Sequence, residues 1–227
     1  MPRNKTTILD ELNPKPLWKV SVRDLVSFVC MGGDIVSGFG SQTMMQDGAK
    51  IHREYQDGSE EEDYHAEVLL SCIVESELLD LEISGRADAV FIDGDVAVVE
   101  EIKSTRLSLK GLSRDTDPTH WPQALCYAWM LIREEGLDEI QIRLTYVQAE
   151  SKKTRSFIEK YTAEEVNRQF QVIVDEYLRW CDLRRKWEIV RNESLAEMNF
   201  PYPAYRRGQR ELAVAVYRGL RDEKTIF

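Results

Sequence analysis

A chain of 227 residues, 43% apolar and 31% charged, has the composition of one folded domain with an appendage rather than of a disordered polymer. A formal charge of −10 argues against a general polyanion binder, and no window suits a membrane span or a secretory signal, so a cytoplasmic protein without a membrane partner is expected. Cys30, Cys72, Cys126 and Cys181 share no CxxC or metal-ligand spacing and are expected as reduced thiols.

Residues 1–17 read as an N-terminal arm. Ser21 then caps a helix, with Asp24 at its N3 position, an apolar run from Leu25 to Val29, and Gly32-Gly33 as its stop. A second helix is predicted from Thr43 to Gln56, carrying His52. The acidic run Asp57–Asp63 reads as a solvated loop. Strands are predicted at Ala66–Val74 and Leu78–Ser84, then a hairpin in GRADAVFIDGDVAVVEEIK. A helix follows from Thr119 to Glu135, stopped by Gly136. Strands at Glu139–Gln148 and Arg155–Lys160 precede the capping box TAEE (Thr162, Glu165) and a long helix to about Val190. Phe200-Pro201-Tyr202-Pro203 breaks the pattern, and a last helix starts near Arg206. This order predicts an α/β domain with a central mixed β-sheet flanked by helices.

The hairpin carries the chemistry. With a two-residue turn at Asp93-Gly94, Ile92 faces Asp95, Asp88 faces Val99, and Arg86 faces Glu101. Faces alternate with period two, so Asp88, Glu101 and Lys103 point the same way and Glu100 points the other. A three-residue loop would exchange the two glutamates. Two carboxylates on one apolar face repel and resist ionisation, which a hard divalent cation relieves. Positive charge collects at Lys103, Arg106, Lys110 and Arg114, and again at Arg179, Arg184, Arg185, Lys186 and Arg191. The first cluster suits a phosphate backbone; the second reads equally well as a solvated helix face. Arg86 is either a phosphate contact or a hairpin partner of Glu101. Trp121, after the polar segment SRDTDPT, is either a base-stacking group or a buried anchor.

GRAD followed by EIKST resembles motifs II and III of PD-(D/E)XK nucleases. Gly48 and His52 in GAKIH, with Gln123 and Tyr127 in QALCY, resemble the further motifs of the RecB-like branch, which includes CRISPR-associated exonucleases. The four motifs keep the family order over residues 45–130. The resemblance implies a restriction-endonuclease-like core. It implies His52, Asp88, Glu101 and the backbone carbonyl of Ile102 as ligands of Mg²⁺ or Mn²⁺, the imidazole favouring Mn²⁺. Lys103 would orient the attacking water or stabilise transition-state charge, and Gln123 and Tyr127 would position the lysine or the DNA. Some relatives carry an iron–sulfur cluster on late clustered cysteines; those are missing here, so no cluster is expected.

The ends, VSVRDLVSFVCMGG and FPYPAYRRGQRELA, resemble the flanks of a nuclease-like domain fused to bacterial XPD/DinG-type helicases. No GKS or GKT occurs, so no ATP site is expected in this chain. The expected layout is an arm (1–17), a nuclease-like domain (18–193) and a segment resembling the start of a helicase domain (194–227). The expected function is metal-dependent hydrolysis of DNA, single-stranded or with free ends, in DNA repair or processing, with a helicase module in cis or in trans. The alternatives are a catalytically inactive DNA-docking module of a helicase and a protein-interaction domain.

Overall fold

The computed structural model describes residues 13–32, 42–222 and 224–225; the predicted helix stop at Gly33 lies outside them. In chain order the elements are β1 (Leu17–Ser21), α1 (Val22–Cys30), α2 (Gln42–Asp57), β2 (Glu62–Glu75), β3 (Asp80–Asp93), β4 (Val96–Thr105), a 3₁₀ turn (Leu109–Gly111), α3 (His120–Glu135), β5 (Glu139–Gln148), β6 (Thr154–Thr162), α4 (Ala163–Glu197) and α5 (Gln209–Arg221). The described residues divide into two compact units, Pro14–Trp187 and a second that holds Asn13 and the residues from Glu188. In the second, α5 is preceded by an aromatic knot in which Phe200 stacks on Tyr205 at 4.1 Å.

The first unit is built on one mixed six-stranded sheet. β3 is its spine, pairing with β2 along one edge and with β1 and β4 along the other. β1 runs parallel to the start of β3, β4 pairs antiparallel with its end, and β5 extends β4 in parallel before β6 closes the edge. The main core lies between this sheet and α1, α3 and α4, where Leu25, Leu81, Ile83, Leu125, Ile142, Leu144 and Phe170 are fully or nearly fully buried. α3 is apolar nearly all round because it is buried nearly all round. Trp129 stacks on Phe170 of α4 at 3.9 Å. α2 packs through Ile51 and Tyr55 onto Ile102 and Val147 on the opposite sheet face.

Local signals hold where they are chemical. Ser21 accepts from the Asp24 N–H, as an N-cap does. Thr162 and Glu165 bond reciprocally, closing the capping box. Gly136 ends α3 in the left-handed conformation. All four cysteines are free thiols. Among the described residues no helix is long and apolar enough to cross a membrane.

Three expectations change. Leu17–Ser21 is a strand, so the arm ends earlier than residue 17. The strand expected at 78–84 and the first arm of the hairpin are one continuous strand, β3, which runs straight through Gly85. The turn is centred on Gly94-Asp95, with Asp93 facing Val96 and Gly94 at φ 64°. The register is therefore displaced by two residues from the expected one, and the facing of side chains survives because two is a whole pleat.

Candidate active site

β1 pairs with β3 only as far as Ser84, and β4 pairs with it only from Ala89 onward. On that edge, residues 85–88 face a gap between two strands, and Asp88 sits in it. Its carboxylate accepts the backbone N–H of Ile102 at 2.7 Å, and its backbone carbonyl accepts the Gln56 amide at 2.8 Å. The side-chain alternation of β3 slips here. Ala87 belongs to the main core, whereas Ala89 and Phe91 belong to a small cluster with Val98 and Tyr64. Opposite Asp88 in β2, Glu67 holds a left-handed backbone at φ 59°. Such strain in a non-glycine residue recurs at functional sites.

Continuing the hairpin register by one step sets Asp88 opposite Glu101. Glu101 is buried, and its carboxylate is 2.5 Å from Lys103 Nζ, which also donates to the Gln123 side-chain oxygen of α3 at 2.8 Å. His52 of α2 brings Nδ1 to 3.8 Å from the Asp88 carboxylate. Tyr127 packs its ring directly against Gly85, where a Cβ would lie 2.6 Å from the hydroxyl. Gly48 likewise lets α2 approach β4 at Ser104. The structure thus gathers His52, Asp88, Glu101, Lys103, Gln123 and Tyr127 around one gap, with Ile102 contributing its N–H.

Burial is the leading force on the acids. It raises Asp88, against the Ile102 N–H and the charges of His52 and Lys103. It raises Glu101 to about 7, against Lys103, while Asp88 adds to the rise. Burial also lowers His52, partly offset by Asp88. Among the described residues no three His, Cys, Asp or Glu side chains are gathered tightly enough to hold a metal ion unaided. The donor chemistry nonetheless fits a hard divalent cation. Two close carboxylates, Glu101 buried and Asp88 half-buried, lie in the field of one lysine that bonds only the first, and Mg²⁺ typically takes one or two carboxylates and completes its shell with water and phosphate.

Glu101 supplies a pH prediction. Its folded-state pKa lies above the ordinary 4.5, so between about pH 4.5 and about pH 7 the folded state holds the extra proton and stability falls as pH rises. In chelator, wild type should therefore lose thermal stability relative to Glu101→Gln across that window. A difference that stays flat, or runs the other way, would contradict the buried, under-neutralised carboxylate.

The remaining predicted residues divide. Arg106 and Lys110 are exposed, and among the described residues neither forms an ion pair. Arg86 pairs with Glu67 of β2 at 3.1 Å, and on the β4 side the displaced hairpin register sets Asp88, not Arg86, opposite Glu101. Arg114 is held by Glu159 through one nitrogen at 2.8 and 2.9 Å and lies over the Trp121 ring. Trp121 is only 6% exposed and lies 6.5 Å from the Tyr161 ring, the surroundings expected of the buried-anchor alternative. In the later basic cluster, Arg185 is buried on the Pro14 carbonyl and Arg184 covers Trp18.

Sequence reasoning missed the polar anchors of α2. Tyr55 donates to Glu100 at 3.0 Å, Thr145 donates to the same oxygen at 2.5 Å, and Gln56 reaches Asp88. Their signal was spacing: Tyr55 and Gln56 follow His52 by three and four, one turn of helix. Glu100 therefore faces α2, away from Lys103, as the parity argument requires.

The family model of the PD-(D/E)XK nuclease superfamily matches residues 26–220. The crystal structure of SSO0001 is similar at 20% identity and a TM-score of 0.44, over 69% of this chain and 75% of that one. A candidate exonuclease from Eubacterium rectale is similar at 12% identity and a TM-score of 0.34, over 69% of this chain and 60% of that one. No curated protein matches.

Proposed function

The chain belongs to the PD-(D/E)XK nuclease superfamily, and from that premise we propose that it is a metal-dependent deoxyribonuclease of the RecB-like branch, hydrolysing phosphodiester bonds in single-stranded or end-bearing DNA. The carrying observation is the pair of acids, Glu101 buried and Asp88 half-buried, with a lysine clamped between Glu101 and Gln123.

Asp88 and Glu101, with His52 and the Ile102 carbonyl, would hold Mg²⁺ or Mn²⁺. When bound, the cation supplies Lewis-acid stabilisation of the phosphate's developing charge. The protein's own groups do the rest. Two acceptors fix Lys103 Nζ, leaving one N–H to orient the attacking water or an equatorial phosphate oxygen, without reorganisation at the moment of reaction. Gln123 holds that lysine from α3, and Tyr127, one turn further along the same face, packs against Gly85 of β3. Gln56 and Tyr55 set the depth of α2, and with it the reach of His52. Arg106 and Lys110 would carry the flanking backbone. A helicase module, in cis or in trans, and a role in DNA repair belong to the same proposal and rest on the likeness of the two ends.

The test is incubation of the chain with end-labelled single-stranded and duplex DNA in Mn²⁺, Mg²⁺ or EDTA. Cleavage in either metal, none in EDTA and a preference for the single strand are expected. Tight binding with no product in either metal would replace the enzyme with a docking module.

A further inference from the structure

Two side chains beside Lys103 lie outside the motif set. Tyr146 of β5 is the register partner of Lys103 in the parallel β4–β5 pair. Partners in register share a sheet face, on strands about 4.8 Å apart. His120 opens α3 three residues before Gln123, the residue that holds Lys103 Nζ, so both belong to one turn of the same helix. His120 Nδ1 lies 2.9 Å from Tyr146 Oη. Its Nε2 lies 3.4 Å from Asp117 Oδ2, while the other oxygen of Asp117 accepts the Thr119 N–H and hydroxyl at 2.8 and 2.6 Å. About a fifth of the His120 side chain remains exposed, at 21%.

The state of this pair follows from its surroundings. Burial, then the Lys103 charge, lower His120 to about 4, against the pull of Asp117. Burial raises the Tyr146 hydroxyl to about 12. A neutral imidazole therefore meets a protonated phenol. With the phenol donating to Nδ1, the ring hydrogen resides on Nε2. Asp117 at 3.4 Å is beyond the usual N–H···O length, so this hydrogen is not fully engaged.

We infer that His120 is a substrate-contacting residue: its Nε2–H, oriented by Tyr146, hydrogen-bonds a non-bridging oxygen of the DNA phosphate that Lys103 serves. The inference rests on the nuclease reading above. A neutral donor suits this place, because a second full cation beside Lys103 would be repelled, whereas a fixed N–H dipole adds anion affinity without that cost.

The test compares wild type with His120→Ala, His120→Gln, His120→Asn and Tyr146→Phe on labelled single-stranded DNA in Mn²⁺. Loss of one fixed donor to a developing charge lowers kcat by roughly 100-fold, and that is the expectation for His120→Ala. The glutamine amide ends near the Nε2 position and should retain most activity; the asparagine amide ends near Nδ1 and should not. Tyr146→Phe should lose roughly 10-fold, as loss of an orienting partner does. Mn²⁺ affinity, read by electron paramagnetic resonance, and the thermal midpoint should be unchanged in the glutamine and asparagine variants. Wild-type rates in His120→Ala, or equal losses in the glutamine and asparagine variants, would overturn the contact. An inactive wild type would sink the nuclease reading and this contact with it, whereas an active wild type matched by His120→Ala sinks the contact alone.

Discussion

Glu101→Gln should abolish cleavage, with a loss of at least ~10³-fold in kcat, while Glu100→Gln should leave most of the rate in place. The two residues are adjacent, equally acidic and both buried, so composition cannot separate them. Their partners do. Glu101 faces Lys103, and its charge is what both the lysine and a divalent cation would answer. Glu100 faces α2, where Tyr55 and Thr145 donate hydroxyls to it and the charge of Arg143 adds to them. A glutamine at 101 keeps the shape and removes the charge; at 100 it keeps shape and one acceptor in a site that already works by hydrogen bonding. Stability should move the opposite way to activity at 101, since relieving an under-neutralised buried carboxylate stabilises the fold at and above neutral pH. A Glu101→Gln variant that cleaves at wild-type rate, or a Glu100→Gln variant as dead as expected for 101, would overturn the assignment. The assay is single-turnover cleavage of labelled DNA at saturating Mn²⁺, with thermal unfolding measured in parallel.

That assignment is legible in the sequence because it depends on parity alone. The true turn sits at Gly94-Asp95 rather than Asp93-Gly94, and the register moves by two, which returns Glu100 and Glu101 of β4 to their expected faces. Capping signals are legible for a related reason: the Ser21 and Thr162 caps are satisfied within three residues. What stays hidden is long-range. LWKVS becomes β1 only because β3 offers it an edge, some sixty residues later. Gly85 reads as a strand break, yet the strand continues, and the glycine answers to a tyrosine on a helix formed from residues 120–135. Arg114 reads as available for DNA, but Glu159 holds it, and the sequence leaves Trp121 open between two roles that only its burial bears on. His120 belongs to no motif, and its partner Tyr146 lies 26 residues on, in β5.

Gly85→Ala tests the tertiary half of the site. An added Cβ would lie 2.6, 2.9 and 3.1 Å from Oη, Cε1 and Cζ of Tyr127, all below ordinary contact, so the ring must move. The ring is buried and sits in the middle of α3, whose neighbours Ala124, Leu125, Cys126 and Ala128 are also buried, so it cannot swing aside freely. The displacement therefore passes into α3. Overpacking of this kind costs about 1–3 kcal/mol of stability. The larger effect falls on rate. Gln123 is one turn from Tyr127 and holds Lys103 Nζ, and a shift of about 1 Å in such a group lowers rate by roughly 100-fold. Tyr127→Phe removes the atom in worst contact, so Gly85→Ala/Tyr127→Phe should be less impaired than the two single changes together, the non-additivity expected of touching residues. Chemical denaturation and kcat for the four members of that cycle decide it. Additive losses would mean that Gly85 is needed for the strand's own conformation, and that the close approach of Tyr127 does not set the lysine.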